Sequence, residues 1–263
     1  MSSIHELSVI EKGATLGKNI TIGPFCTIGQ NVTLGDDVVI HSNVSISGHT
    51  TIGKGTEIFP SAAIGYPPQD LKFQGEDTEV IIGNDCKIRE HVTIHPGTKD
   101  GGGKTTVGDH CLLMVGVHIA HDCHLANNVV MANCATLAGH VTVGESSILG
   151  GLSAILQFVR IGKNTMVTGM SGVRNDVPPF GLVVGNHAKI SGINVIGLKR
   201  HGFKKDNIRE IKNLYDLIFF ESSGTYSERV SQAKDYIQSE HGEEVINFLC
   251  SPSKKNICQP KRS

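Results

Sequence analysis

The chain has no tryptophan, and aromatic residues make up only 5% of its 263 positions. Charged residues are sparse as well, at 19%, with a formal net charge of −1. That balance excludes bulk electrostatic capture of nucleic acid, which needs a strongly basic face. No apolar run approaches the roughly 18 residues of a membrane span, so no integral membrane segment is expected. The opening, MSSIHELSVIEKG, lacks the basic and apolar regions of a secretory signal, and the expected location is cytoplasmic. The seven cysteines are odd in number and scattered, which makes free thiols the expectation over a disulfide framework. What is abundant is glycine, at 31 residues. Few aromatics with many glycines is unusual for a helical or doubly wound domain and points to frequent, regular turns.

The turns have a period of six. From Ile10 the chain reads IEKGAT, LGKNIT, IGPFCT, IGQNVT, LGDDVV, with an aliphatic residue opening every hexad to Ile64. The phase returns at Ile82, Ile88 and Ile94, then runs unbroken from Val107 to Val173. The fifth slot is small or β-branched almost throughout; Ala14, Ile20, Cys26, Val32, Cys86, Val92, Thr98, Cys111, Val117 and Cys123 occupy it. Slots one and five therefore point the same way, as in a strand, and Gly, Asn, Asp and Lys between them supply turns. A short strand and a turn every six residues describe a parallel β-helix. Three hexads close a triangular coil, so residue i+18 stacks over residue i at about 4.8 Å. An α-helix is excluded, because a spacing of six fits no 3.6-residue stripe. The period alone leaves the hand of the coil open. Cys26, Cys86, Cys111 and Cys123 are expected to be small buried hydrophobes.

Two stretches break the repeat, YPPQDLKFQGEDTEV at 66–80 and PGTKDGGGKTT at 96–106. Both read as loops ejected from a coil corner. Insertions in a regular array gather on its functional side. The hexads stop after Val177, so the expected domains are a β-helix over 1–185 and a connector with a helical domain over 186–263. Ile208, Ile211, Tyr215, Ile218 and Phe219 mark one helix face. Thr225 and Glu228 form a capping-box pattern for a second helix, with Tyr226, Val230, Ala233 and Ile237 as its stripe. INFLC, 246–250, reads as a short third helix, and the end, SPSKKNICQPKRS, as a frayed tail. Seven basic residues between Lys189 and Lys212 suggest an acidic partner or a phosphate-bearing ligand.

The densest polar stretch is HIAHDCH, 118–124. His121 and Asp122 take the third and fourth slots of a hexad, at a corner, where both should point outward. His118 and His124 belong to neighbouring sides, so the three histidines fan out and do not converge on a metal. One coil on, Gly139 stacks over His121 and His140 over Asp122; Gln157 lies two coils from His121, roughly 10 Å away. An imidazole is suited to general-base work near neutral pH. A neighbouring carboxylate fixes its tautomer, and a glycine N–H can stabilise an oxyanion. Those parts suit acyl transfer. Two other readings stand beside it. One is a zinc-dependent lyase of the gamma carbonic anhydrase type, using His118, His121 and His140. The other is a catalytically silent binding scaffold.

The run HIAHDCHLANNVVMANCATLAGHV, with ILQF, GMSGVRNDVPPFGLVVGNHA, GINVIGLKRHGF and NIREIKNLYDLIF, resembles the UDP-N-acetylglucosamine O-acyltransferases that start lipid A synthesis in Gram-negative bacteria. The likeness covers almost the whole chain. It implies a left-handed β-helix, a homotrimer with sites between subunits, and transfer of a 3-hydroxyacyl group from acyl carrier protein to the sugar 3-hydroxyl. No cofactor is implied, because the thioester already carries the activation. The resemblance casts His121 as general base, Asp122 as its partner and Gly139 as oxyanion donor. It makes Asp70 and Lys72, in the first loop, contacts to the sugar nucleotide. His95, His118, His140, Gln157, Asn194 and Arg200 fall on substrate-binding positions. Gly169, beside Met170, falls where acyl length is limited. The chain departs from the family pattern at Leu156, Ile196 and His201, where the family often has His, Glu and Arg. Those departures admit a second substrate, the 3-amino analogue of the sugar, which would give an amide.

Overall fold

The structure is a computed structural model that describes residues 2–261. Its strands are mostly two residues long and stack into three sheets of 11, 9 and 8 strands, parallel except for the last strand of the first. Successive strands visit the three sheets in turn. Ser3–Ile4 opens the first face, Val9–Ile10 the second and Thr15–Leu16 the third. Register partners lie 18 residues apart, as Thr21 with Val39 and Ile22 with Ile40. This is the triangular coil that the hexads imply. The first slot points inward, and Ile28, Ile46, Ile64, Ile88 and Ile119 have no accessible surface. Cys26, Cys86, Cys111 and Cys123 are buried free thiols in the fifth slot, as expected.

The corners are tight because the fourth slot takes a left-handed backbone, with φ of 54° at Asn19, 58° at Asp122 and 62° at His140. Asn, Asp and His tolerate that region better than most side chains. The third-slot N–H then faces the next coil. Lys18 N donates to Asp36 Oδ1 at 2.7 Å, and Asp109 N to Asn127 Oδ1 at 2.8 Å.

Both loops leave the same corner, between the second and third faces. The first departs after Ala63–Ile64, and its chain rejoins the third face at Glu79–Ile82. The second departs after Thr93–Ile94 and rejoins at Lys104–Val107. Across them the register jumps: His49 pairs with Glu79, and Ile82 with Val107. Each expected loop therefore ends a few residues early, because its last residues pair on the third face. Thr98 does not take the inward fifth slot that its spacing from Ile94 suggests. It lies in the second loop, before a 3-10 turn over Lys99–Gly101.

Parallel stacking ends at Gly181–Val184, which pairs antiparallel with Lys189–Ile193. The connector also holds a short helix the periodicity does not show, α1 (Val195–Arg200). Helix α2 (Lys205–Tyr215) continues into a π-turn over Asp216–Phe220 and buries Ile211, Leu214, Tyr215, Ile218 and Phe219. Helix α3 (Tyr226–Ala233) has the expected capping box between Thr225 and Glu228. It ends at Ala233, so Ile237 lies beyond it. Helix α4 spans Glu240–Cys250, far longer than INFLC, because Ser239 caps it through the His241 N–H. Among the described residues, no helix is long and apolar enough to cross a membrane.

The tail is not frayed through Lys261; Arg262 and Ser263 lie outside the described residues. Cys258 is buried and its N–H donates to Asp176 O at 2.7 Å. The Asp176 carboxylate, itself buried, accepts from Arg160 N (2.9 Å), Arg160 Nε (2.6 Å) and Ser253 Oγ (2.6 Å). Its polar composition reads as a solvated end, but a buried ion pair clamps the tail to the coil.

Candidate active site

His121 and Asp122 stand on the corner between the second and third faces, one coil beyond the second loop. They leave the core as expected, yet they do not face water. The His121 and Asp122 side chains are only 10% and 0% exposed. The second loop folds over them so closely that a Cβ on Gly101 would collide with the Asp122 carboxylate.

Inside that cover the carboxylate takes three hydrogen bonds. Oδ1 accepts from Thr98 N at 2.8 Å. Oδ2 accepts from Thr98 Oγ1 at 2.6 Å and pairs with His121 Nδ1 at 2.8 Å. The Asp122 N–H donates to Thr105 Oγ1 at 2.8 Å, pinning its left-handed backbone. An ionised carboxylate only accepts, so His121 Nδ1 carries the proton and Nε2 presents a lone pair. That is the tautomer a general base needs.

Gly139 lies against this ring, and a Cβ at that position would strike it. Only glycine admits so close an approach. Gly139 also keeps its own N–H clear, since Gln157, the third-slot residue one coil on, makes no hydrogen bond to it among the described residues. His140 crosses His121 edge-on, ring centroids 5.0 Å apart, and stacks on Phe158 at 4.4 Å. Its Nδ1 lies 3.7 Å from Asp122 Oδ2.

His95 and His118 meet edge-on at 5.0 Å on the second face, and His118 Nδ1 pairs with Thr93 Oγ1 at 2.7 Å. Burial, then the nearby His118 and His121, push His95 down to about 4. Burial, then His121, lowers His118 too. Burial also lowers His140, against the opposing pull of the Asp122 carboxylate. Three imidazoles around His121 are thus held neutral at pH 7. His95 Nδ1 is buried with no partner among the described residues, a site that water or a substrate group would satisfy. The expected fan is half right: His118 and His124 do lie on different faces, but His95 and His140 gather with His118 around His121.

A cleft of about 510 Å³ separates the two loops, lined by Asp70, Lys72, Glu76, Thr98 and Lys99 among others. Asp70 is near enough to act on the charge of His140. The remaining candidates lie elsewhere on this chain. Gly169 and exposed Met170 sit at the corner between the first and second faces. The Asn194 side chain caps α1 and donates to Asn164 O at 2.9 Å, at the third corner. Arg200 ends that helix, exposed. His201, one of the departures, pairs with Asn164 Oδ1 at 2.6 Å.

His121, Asp122 and His140 bring three ligand atoms within 4.8 Å, the one such cluster among the described residues. Its donor set suits a metal poorly, because Asp122 Oδ2, the oxygen between the two rings, already accepts from both Thr98 Oγ1 and His121 Nδ1.

Sequence reasoning missed Thr98, Thr105 and Glu76. Thr98 carries a readable signal, a threonine heading the turn-forming run TKDGGG.

A hexad coil whose corner holds a covered His–Asp pair defines a transferase of the hexapeptide class. Residues 104–139 match the family model "Bacterial transferase hexapeptide (six repeats)". Residues 176–258 match "Udp N-acetylglucosamine O-acyltransferase; Domain 2". A relative from Sinorhizobium fredii, named acyl-[acyl-carrier-protein]--UDP-N-acetylglucosamine O-acyltransferase, is 42% identical over 99% of this chain and 97% of its own. One of the same name from Aliarcobacter butzleri is 52% identical over 83% of this chain and 84% of its own. The solved UDP-N-acetylglucosamine acyltransferase of Campylobacter jejuni superposes with a TM-score of 0.92 at 36% identity, covering 98% of this chain and 100% of that one. The chain belongs to the acyl-[acyl-carrier-protein]--UDP-N-acetylglucosamine O-acyltransferase family.

Proposed function

We propose that the chain moves a 3-hydroxyacyl group from acyl carrier protein to the 3-hydroxyl of UDP-N-acetylglucosamine, the first step of lipid A biosynthesis. Its relatives are named for O-acyl transfer from acyl carrier protein to UDP-N-acetylglucosamine. The observation that carries the reading is the covered pair, His121 Nδ1 at 2.8 Å from Asp122 Oδ2, with Nε2 left basic. His121 takes the proton of the sugar 3-hydroxyl as its oxygen attacks the thioester carbonyl. The Gly139 N–H holds the resulting oxyanion. When the tetrahedral carbon collapses, the carbon–sulfur bond breaks and the proton on His121 passes to the departing thiolate.

The left-handed coil, the cytoplasmic location, the division into residues 1–185 and 186–263, and the homotrimer are parts of this reading. The spread of candidates supports the trimer. His121, Asp122, Gly139, His140 and Gln157 share one corner, Gly169 and Met170 another, and Asn194 and Arg200 a third. Clefts between subunits would unite what one chain keeps apart. Asp70 and Lys72 would hold the sugar nucleotide in the cleft between the loops. His95, with its unpartnered nitrogen, His118 and His140 would line the rest.

A panel of 3-hydroxyacyl carrier proteins of graded length, offered with UDP-N-acetylglucosamine and with its 3-amino analogue, tests the reading. Ester formation is expected, with the preferred length reporting the channel beside Gly169 and Met170. Exclusive amide formation would move the substrate to the amino sugar. No transfer from any donor, with stoichiometric zinc in the purified protein, would return the lyase.

A further inference from the structure

We infer that Thr98 is a positioning residue for the catalytic pair, and that the second loop exists in part to deliver it. The inference rests on the acyl-transfer reading above. Every polar group of Thr98 has an assigned task. Its N–H and hydroxyl clamp the two oxygens of Asp122 at 2.8 and 2.6 Å. Its carbonyl accepts from Gly101 N at 3.0 Å and Gly103 N at 2.9 Å, closing the turn that holds it. Two donors from one residue fix the carboxylate plane, and with it the direction in which Oδ2 meets His121 Nδ1. Thr98 is buried and its side chain spans to Asp122, so it orients the base through another group.

The clamp is tied to the first loop. Lys99 N donates to Glu76 Oε1 at 3.2 Å in that loop, and Gly97 N donates at 3.4 Å to Glu79 O, where the chain rejoins the third face. Glu76 and Thr98 both line the cleft that holds Asp70 and Lys72. A chain of contacts therefore runs from that cleft through Glu76, Lys99, Thr98 and Asp122 to His121. Ordering the first loop around a ligand in the cleft would firm the grip on the carboxylate that aims the base.

The test compares Thr98→Val, which removes the hydroxyl at nearly constant shape, with Thr98→Ser, which keeps it. Steady-state kinetics on the intact protein should show Val lowering kcat about 10- to 100-fold, part of what a well-placed base contributes. KM for the sugar nucleotide should stay within about twofold, and Ser should restore most of the lost kcat. Proton NMR of the resting protein supplies a second readout independent of turnover. The low-field Nδ1–H of His121, assigned by its loss in His121→Ala, should persist in Ser and exchange or broaden in Val. A wild-type kcat in Val, equal damage in Ser and Val, or a raised KM at unchanged kcat would each overturn the inference. If Val does not fold, the resonance in the unsubstituted protein and in Ser decides: its absence from either overturns the inference. If the unsubstituted protein transfers no acyl group, the functional reading fails, and the resonance still reports on Thr98.

Discussion

Two corners of the same coil carry the same residue types to opposite ends. Between the third and first faces, Asp85 and His110 occupy successive fourth slots, with φ of 52° and 57°. Asp85 Oδ2 and His110 Nδ1 lie 3.9 Å apart and both side chains are 58% exposed. Between the second and third faces, His121 and Asp122 meet at 2.8 Å with almost no exposure. The chemistry is alike, and Asp122 shares the fourth slot and left-handed backbone of Asp85, while His121 sits beside it in the third slot. The other difference is the loop laid over one corner and absent from the other. Water screens the exposed pair to little net worth. The covered carboxylate takes three hydrogen bonds from Thr98 and His121, which holds one tautomer ready.

The sharpest way to break the comparison is to delete the covered imidazole. His121→Ala should cut turnover by about 10²- to 10⁴-fold with the coil intact by circular dichroism. Near-normal turnover would remove His121 from the mechanism. Next in size is the other covered carboxylate on this ridge. Asp176→Ala strands Arg160 beneath the tail and should cost about 3–5 kcal/mol of stability, read as a lowered denaturation midpoint. The imidazole cluster predicts a smaller, pH-dependent effect. His95 is pushed down to about 4, whereas an unfolded histidine takes its proton near pH 6.5. The unfolded chain binds more protons in that window, so stability falls as pH drops from 6.5 towards 4. Thermal melts across the range should show this, and His95→Gln should flatten part of the slope. The smallest effect belongs to the exposed corner. His110→Ala should change stability by less than about 0.5 kcal/mol and leave turnover unchanged; a large loss there would show that cover is not what separates the two corners.

The hexad register made most of the ridge legible before any coordinates. It put His121 and Asp122 at a corner, and Gly139 and His140 one coil on, because a period of 18 residues is a distance as well as a count. The register failed where the chain left the coil. Counting from Ile94 gives Thr98 an inward slot, since a phase cannot announce its own end. The burial of Asp122 was hidden for the same reason: the loop that covers it has no period of its own. The docked tail was illegible because its anchor, Asp176, is 77 residues from Ser253 in the chain. Helix α4 was under-read because the run EHGEEV, polar and broken by Gly242, masks its first turns.

The antiparallel turn at the end of the coil reaches beyond packing. A stack of parallel rungs has an open last rung, and an open rung invites another molecule to add to it. Here Lys189–Ile193 reverses direction, and the tail lies beside it through Ile190 and Pro260. Proline offers no N–H to a further rung. The coil thus carries its own terminator against fibre-like growth, and a chain cut back before Lys189 would be expected to polymerise head to tail.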